Sequence, residues 1–453
     1  MKKSLPTIAL TLASALAYGL ITPAATGAVA SAQSSLSSGS SLSSSSSSPS
    51  GPTTPWAPDV SDGLVVNLIG DLLGPGISDH VGVMTGDLGT MTSLGDGGEF
   101  AIIFGDSFRG ANFGQGEWMS PVGVVAELDQ DGRIVIKRPL NEGERVEQLV
   151  DYTHNNRGLT LLPSDIINLD GTLYMQAMWN EGVGNVLRTQ IWASTDQGAT
   201  WQSVSTTPAN YLEGKAQLIT WEQGPDGYVY MMSSSFQRRD DVYLARFLPG
   251  DIGDRTAWQH YRLNDDGTGT WGKTASPILG DQVRAGEMSL RYIQGHWVLA
   301  MFNAETMAIE VRISEEIARD WNEITPANVV VAGFGGWGAE QNPGNFTQLY
   351  GGYITPGSTL DNLDLVVSQW NTGNNSRYMS TQFNVKGLDT FFGIDTGSPK
   401  ARTMAPQVDS TGDQQVIQVE QKPVDATAQE QLAAEKLMED ATELIIVPLG
   451  DDS

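Results

Sequence analysis

Two aspartates, Asp87 and Asp106, stand where their carboxylates could carry out acid–base chemistry. Asp106 follows the apolar run at 101–105, which is typical of a buried strand, so its side chain should emerge where that strand ends. Asp87 lies between Gly86 and Leu88 on the preceding strand. Two carboxylates facing each other across a pocket can hydrolyse a glycosidic bond, one as acid and the other as base or nucleophile. With 53 acidic residues in the chain, both could equally be solvated or turn-capping groups.

Further polar and aromatic residues are expected at the same mouth of the fold. Glu287 interrupts the start of a strand and is the third candidate catalytic carboxylate. The candidate substrate-binding residues are Asp79, His80, Asp165, Trp179, Gln217, Trp221, Trp337, Gln348, Tyr350 and Trp370. Their polar groups could bind sugar hydroxyls, and their aromatic faces could hold furanose rings. Asp79 and Asp165 fit turn caps equally well, and an isolated histidine such as His80 is more often structural.

A repeated unit of four strands must position these residues. Short apolar runs, broken by Gly, Asp and Asn, recur along the chain in the manner of an all-β protein. Three units each have a tight turn between their first two strands, at Asp170-Gly171, Asp226-Gly227 and Gln294-Gly295. A tryptophan opens the fourth strand of each unit: Trp201, Trp258 and Trp321. Such a unit is one blade of a β-propeller.

Two more blades complete the predicted fold. One covers 81–139, and the other covers 346–385 but lacks a fourth strand, which the segment 64–69 could supply from the N-terminal side. This closure would leave no open edge between the first and last blades. The segment 194–201 matches the S-x-D-x-G-x-T-W pattern of the Asp-box and resembles the outer hairpin of sialidase-like propellers. We therefore predict a five-bladed β-propeller.

The composition excludes several kinds of chemistry and partner. The formal net charge of −27 argues against nucleic acids and anionic membrane surfaces, which are bound by clustered Lys and Arg. The absence of Cys removes disulfides, thiolate nucleophiles and Cys-ligated zinc, and four His make a His-rich metal site improbable. No G-x-S-x-G motif supports a serine hydrolase. We expect no cofactor and no catalytic metal, with room left for a structural calcium ion.

The two flanks differ in composition from the propeller. Residues 1–32 combine a basic start, an apolar run and small residues, which predicts a signal peptide, with a membrane anchor as the alternative. The Ser- and Pro-rich segment 33–58 predicts a disordered linker, and 59–398 the propeller. The acidic tail at 399–453 should be partly helical, as an interaction segment or as a solvated or packed one. The mature protein is expected to be a secreted or envelope-located monomer, without membrane insertion.

The motifs around the two aspartates resemble a known family. The segments 82–89 and 104–108, with Gly286–Ser289, Leu349–Ile354 and Ser368–Asn371, are similar to a secreted actinobacterial propeller family. That family, long a domain of unknown function, is assigned to endo-D-arabinanases. The resemblance implies a five-bladed glycoside hydrolase that cuts the D-arabinofuranose polymers of arabinogalactan and lipoarabinomannan. It also implies that Asp87 and Asp106 are the two essential aspartates.

Two other functions remain open from the sequence. A sialidase-like exo-glycosidase, which the Asp-box suggests, would need an arginine cluster for the sialate carboxylate. The available arginines are scattered along the chain: Arg157, Arg188, Arg284 and Arg291. A non-catalytic propeller could instead bind glycans through its aromatic residues alone.

Overall fold

The computed structural model describes residues 58–182, 184–264 and 266–396. The predicted signal peptide, nearly all of the predicted linker and the predicted acidic tail lie outside the described residues. Within these ranges the chain is almost entirely β-structure, with 23 strands and one helical turn, α1 (Leu388–Phe391). Four short 3-10 helices occupy Asp79–Val81, Tyr211–Gly214, Pro249–Asp251 and Gly336–Gly338. None of these helices has the length and apolar character needed to cross a membrane.

The strands form five antiparallel sheets, which are the blades of a propeller. The first strand along the chain is β1 (Val65–Asp71). Blade one follows with β2 (Thr85–Ser93), β3 (Phe100–Phe108), β4 (Trp118–Met119), β5 (Val122–Leu128) and β6 (Ile134–Pro139). Blade two contains β7 (Leu159–Leu169), β8 (Thr172–Glu181), β9 (Val186–Ser194) and β10 (Gln202–Pro208).

The remaining three blades follow in chain order. Blade three contains β11 (Leu218–Gln223), β12 (Val229–Ser234), β13 (Val242–Phe247), β14 (Gln259–Leu263), β15 (Gly269–Gly272) and β16 (Pro277–Leu279). Blade four contains β17 (Ala285–Ile293), β18 (His296–Asn303), β19 (Ala308–Ser314) and β20 (Ala327–Val331). Blade five contains β21 (Leu349–Ile354), β22 (Asn362–Trp370) and β23 (Tyr378–Lys386).

One strand from each blade lines a central channel. These inner strands are β2, β7, β11, β17 and β21, and each contacts the next around the ring until β21 meets β2 again. The blades pack through apolar faces; β3, for example, buries Phe100, Ile102 and Phe104 almost completely. The prediction of a five-bladed, all-β propeller is confirmed.

The ring is closed by the N-terminal strand, as the sequence indicated. β1 pairs antiparallel with β23 and so becomes the fourth strand of blade five. The Arg377 guanidinium holds both oxygens of Asp71 at 2.6 and 2.7 Å, and the Thr381 hydroxyl donates to the same carboxylate. Two parallel charge-assisted hydrogen bonds of this kind add geometric specificity as well as energy, so they fix the register of the closing strand.

The Asp-box forms the turn of the β9–β10 hairpin. Asp196 accepts hydrogen bonds from the backbone N–H of Thr200 and from the hydroxyls of Ser194 and Thr200. Partial burial raises the pKa of Asp196, but the Thr200 and Ser194 donors outweigh it and lower the pKa overall. Gly198 has a φ of +94° and the Trp201 ring N–H donates to its carbonyl oxygen. These contacts are all local, so the motif builds a turn and holds no reacting group.

The structure corrects two details of the predicted blades. Blade three has six strands rather than four, because β14 continues into the hairpin with β15, and β16 pairs with β13. In blade four the outer strand starts at Ala327 and not at Trp321. Trp321 is instead fully buried, and its ring N–H donates to the Ile317 carbonyl. It therefore fills the core at the entry to the strand.

Candidate active site

A double irregularity in β2 presents Asp87 to the channel. The pairing of β2 with β3 shifts register on both sides of Leu88: Asp87 stands opposite two residues of β3, Gly105 and Asp106, and Gly89 is an extra residue on β2. Leu88 has a φ of +61°, a region that costs energy for a residue with a branched side chain. Blade five holds this backbone in place: the Leu88 N–H donates to the Ser368 hydroxyl, and the Ser380 hydroxyl donates to the Leu88 carbonyl. Bulges commonly re-aim a side chain next to an active site.

Two glycines in the motifs are required by close approach. A Cβ on Gly105 would lie 2.7 Å from Oδ1 of Asp87, so that carboxylate rests against the backbone that leads into Asp106. A Cβ on Gly86 would lie 2.6 Å from the Ser107 hydroxyl. The glycines beside each aspartate therefore allow the two strands, and with them the two carboxylates, to come together.

Asp87 is buried, with a relative exposure of 8%, and only one of its oxygens accepts a well-formed hydrogen bond. The Tyr350 hydroxyl donates to Oδ2 at 2.8 Å. Oδ1 has no partner of standard geometry, although the Tyr378 hydroxyl is near enough to favour the ionised form. Burial, and then the charge of Asp106, raise the pKa of Asp87 to about 7, with a smaller contribution from Glu287. This carboxyl therefore exchanges its proton near neutral pH.

Asp106, at the end of β3, is partly exposed and better supplied with donors. Its Oδ1 accepts hydrogen bonds from the Trp118 ring N–H at 3.1 Å and from the Thr160 hydroxyl at 2.7 Å. Burial raises the pKa of Asp106 overall, and the donors Thr160 and Trp118 offset only part of that rise. The Trp118 ring stacks on His154 with centroids 3.9 Å apart. Because indole is a donor only, its hydrogen bond is made to the charged form of Asp106 and so opposes the effect of burial.

Glu287, the third predicted carboxylate, lies in the same charged cluster, where its charge contributes to the raised pKa of Asp87. It is 3% exposed, and its two oxygens accept from the Arg238 guanidinium at 2.8 Å and from the Gly351 N–H at 3.3 Å. The Arg238 guanidinium also lies 5.1 Å from the centroid of the Tyr350 ring. The ion pair with Arg238 fixes the Glu287 side chain. Glu287 therefore acts on Asp87 through its charge rather than by transferring a proton.

An aromatic cluster lies beside Asp87. The partly exposed rings of Trp370 and Phe113 stack at 5.6 Å, and the Tyr378 ring meets both edge-on. Trp370 was predicted to bind substrate, and its position next to the Tyr378 ring fits that role. Five residues of the site were missed by the sequence reasoning, because loops and other blades supply them: Phe113, Trp118, Thr160, Arg238 and Tyr378.

The other predicted polar residues brace the loops around the channel. Asp79 is exposed and accepts from the Gly76 N–H, as a turn cap would, and the His80 ring contacts the Ile136 carbonyl. The remaining two, Gln217 and Gln348, also make their contacts with neighbouring loops. Tyr350, predicted to bind sugar, directs its hydroxyl to Asp87 instead.

Burial excludes two of the predicted substrate-binding residues, and two others are largely covered. Asp165 and Trp221 are completely inaccessible, so neither side chain can contact a polymer. Trp179 is 6% exposed and is packed against Tyr152 and Arg188, while Trp337 is 3% exposed. Polar residues on the inner strands were expected to face the pocket. The Asp165 side chain is instead buried among the inner strands.

Neither an arginine cluster nor a metal cluster accompanies these carboxylates in the described residues. Each of the four arginines considered for a sialidase contacts a different residue. Arg157 forms an ion pair with Glu181, Arg188 lies over the Trp179 ring, Arg284 pairs with Glu305, and Arg291 pairs with Asp165. No group of three or more His, Asp or Glu side chains that the structure describes is arranged to hold a metal ion. The side chains that the structure places at the site are acids, tyrosines and other aromatic rings.

Comparison with known proteins identifies a family. The family model described as a domain of unknown function, DUF4185, matches residues 74–384. An uncharacterized 35.9 kDa protein from Mycolicibacterium smegmatis is 31% identical over 325 residues, which are 66% of this chain and 92% of that protein. The notoamide biosynthesis cluster protein J' of Aspergillus versicolor is 25% identical over 317 residues, which are 64% of this chain and 82% of that protein.

Solved structures share the fold at low sequence identity. A candidate hydrolase from Bacteroides ovatus aligns with 70% of this chain and 90% of its own, with 14% identity and a TM-score of 0.50. A GH43 enzyme from Xanthomonas citri also aligns, over 70% of this chain and 89% of its own, with 13% identity and a TM-score of 0.41. At this level of identity, the similarity is one of fold only.

Proposed function

The chain belongs to the DUF4185 family, and we propose that it is a secreted glycoside hydrolase that cleaves D-arabinofuranosyl linkages inside the arabinan of a cell envelope. One observation carries the proposal of a hydrolase. Two adjacent carboxylates, Asp87 and Asp106, lie together on a strained and braced backbone, and Asp106 accepts more well-formed hydrogen bonds than Asp87 does. Glycosidic hydrolysis needs one carboxylic acid and one carboxylate.

Asp87 is the general acid in this proposal. Its pKa of about 7 keeps a large fraction protonated at neutral pH. The Tyr350 hydroxyl donates to Oδ2 and so orients the carboxyl group. The proton of Asp87 passes to the glycosidic oxygen as the bond to the anomeric carbon breaks. The charge of Glu287 supports this role by opposing ionisation of Asp87.

Asp106 is the charged partner, acting as base towards water or as nucleophile at the anomeric carbon. Trp118 and Thr160 hold Oδ1, which orients the carboxylate and favours its ionised form. Because the charge of one carboxylate opposes ionisation of the other, the pair can hold a single proton, and we assign that proton to Asp87. The two residues therefore divide the acid and base roles between them.

The choice of D-arabinan depends on sequence observations. The motifs around Asp87 and Asp106 resemble those of endo-D-arabinanases, and the signal-peptide pattern favours a substrate outside the cell. The Trp370–Phe113 pair next to the acid offers an apolar surface against which furanose rings could pack.

The deciding experiment is digestion of purified arabinogalactan, with the released oligosaccharides resolved by size. We expect wild type to release oligo-arabinosides, and Asp87→Asn and Asp106→Asn to lose this activity while still binding the polymer. Asp196→Asn, in the Asp-box turn, is the matched control and should retain activity. Absence of release by wild type, or equal release by Asp106→Asn, would contradict the proposal. Tight binding without cleavage, unchanged when both aspartates are lost, would favour a glycan-binding propeller instead.

A further inference from the structure

A buried ion pair joins the inner strands partway along the central channel. Asp165 on β7 is fully buried and meets the Arg291 guanidinium of β17 through both oxygens at 3.1 Å. Thr90 of β2 and Thr220 of β11 also donate to this carboxylate. Four of the five inner strands are therefore joined at one point. We call the end that carries Asp87 the proximal mouth and the opposite end the distal mouth.

The distal mouth contains a cavity of about 640 Å³. Residues at the ends of all five inner strands line this cavity. Its polar side chains include Thr92, Asn168, Glu222, Gln294 and Thr355. This volume lies in the range of about 300–1,000 Å³ found for small-molecule sites. Ordinary sites of that kind are mainly apolar, whereas most side chains that line this cavity carry a hydroxyl, an amide or a charge.

The charges in the distal cavity do not suit an ionic ligand. Both terminal nitrogens of Arg291 are committed to Asp165 and to the carbonyls of Leu290 and Met91, so they have little left to offer an anion. Glu222 is partly buried, and burial raises its pKa to about 7, with Arg291 opposing and Asp165 reinforcing the shift. Asp96 at the rim is the other acid that lines the cavity. The wall is therefore rich in hydrogen-bonding groups but poor in unpaired positive charge.

We propose that the distal mouth is a second binding site, for a neutral polyhydroxylated ligand of one or two sugar units. Glu222 anchors the ligand by hydrogen bonding at the cavity wall, and the amides and hydroxyls of the surrounding strand ends bind its remaining hydroxyls. The partly exposed Tyr292 ring, tilted against Trp297, adds an apolar surface for the C–H face of a sugar. The Asp165–Arg291 pair separates this site from Asp87 and Asp106, so the two mouths are occupied independently.

The test uses the full chain in an Asp87→Asn/Asp106→Asn background, with D-arabinose and D-galactose as probes in saturation-transfer NMR and calorimetry. We expect at least one neutral sugar to bind in this background. Glu222→Leu should weaken that binding about tenfold, whereas Glu222→Gln, which keeps the hydrogen-bonding shape, should hold it within about twofold. Thr92→Val supplies a second lining variant if Glu222→Leu does not fold. D-Glucuronate should bind more weakly than either neutral sugar, since Asp96 and Glu222 face it.

Several results would overturn the distal site. One is the absence of binding by both neutral sugars; another is binding unaffected by Glu222→Leu and Thr92→Val. Glucuronate binding at least as tight as the neutral sugars, or Glu222-dependent binding of Ca²⁺ without sugar binding, would also contradict it. In the wild-type propeller, Glu222→Gln should leave cleavage at the proximal mouth unchanged. The distal site can therefore fail without the proposed hydrolase failing, and the reverse also holds.

Discussion

Asp87 and Asp165 are both buried aspartates on adjacent inner strands, but the protein treats them in opposite ways. Asp165 accepts six hydrogen bonds, two of them from Arg291. Asp87 accepts one well-formed hydrogen bond, and its neighbours are acids and phenols. A buried carboxylate needs hydrogen-bond donors to offset its loss of hydration, and one left short of donors has its pKa raised. Hydrogen-bond satisfaction, more than burial, separates the structural acid from the reactive one.

The sharpest test of this difference is to neutralise the reactive pair. Asp106→Asn should lower kcat on arabinan by about 10³-fold, within the range of about 10²–10⁴ for an acid–base group, because the amide can neither attack nor accept a proton. The unfolding midpoint should change little, since an amide oxygen can still accept from Trp118 and Thr160. Activity assays and thermal unfolding measure the two effects. A large loss of stability in Asp106→Asn would show that this site, too, is structural.

Removing the fully paired carboxylate of Asp165 is expected to lower the stability of the protein. Asp165→Ala leaves the Arg291 charge buried without its partner, which typically costs about 3–5 kcal/mol in the free energy of unfolding. Denaturant titration measures the loss. The double variant Asp165→Leu/Arg291→Met is the control, because replacing a buried pair with apolar residues is often neutral. An Asp165→Ala variant as stable as wild type would contradict the structural role of Asp165 and with it the contrast to Asp87.

The pH dependence of stability should report the raised pKa of Asp87. Between its unfolded pKa of 3.8 and its folded pKa of about 7, Asp87 is protonated in the folded state and ionised in the unfolded chain. The folded state therefore loses stability as pH rises through this window, by up to about 1.4 kcal/mol per pH unit. Asp87→Asn should flatten the curve of unfolding free energy over pH 4–7.

Glu222→Gln is a matched control for the pH experiment, because its pKa is raised from 4.5 to about 7 in the same way. It should flatten the same part of the curve while leaving cleavage intact. An unchanged slope in Asp87→Asn would show that Asp87 is ionised throughout the range, and would remove the basis for its role as the acid.

Tyr350→Phe should have a smaller effect on the reaction, a shift of its pH–rate profile. The Tyr350 hydroxyl lowers the pKa of Asp87 by donating to Oδ2, so its removal should raise that pKa further. Because the acid must be protonated to act, the basic limb of the pH–rate profile should move to higher pH, with kcat at the optimum reduced less than tenfold. A shift of this limb to lower pH would contradict the hydrogen-bond assignment.

The smallest effect is expected at a third aspartate, in the Asp-box. Asp196→Ala removes the acceptor for Ser194 and Thr200 and should cost about 1 kcal/mol of unfolding free energy, as for a typical turn hydrogen bond. Activity should be unchanged, because these contacts stay within one hairpin of blade two. A loss of cleavage in Asp196→Ala with normal stability would assign the motif a role beyond the turn.

The blades were predictable because their signals are local. Alternating apolar runs and turns such as Gln294-Gly295, where both residues have positive φ, depend on adjacent residues only. Asp87 and Asp106 were predicted from equally local signals, the apolar run that ends before Asp106 and the position of Asp87 on the preceding strand. The contacts that decide function are long-range: Arg291 is 126 residues from Asp165. The sequence pattern could not show which inner-strand acid such a partner would neutralise.

The closing strand also has a consequence for how this protein reaches its folded state. Val65 pairs with Lys386, so blade five is incomplete until both ends of the propeller sequence have been synthesised. Contacts between such distant segments form slowly, because the entropy of closing the loop must be lost before the pairing stabilises it. Until then β23 exposes an unpaired edge that other chains could join. Ring closure is thus a late step in folding, and the interval before it is when the chain is most prone to aggregation.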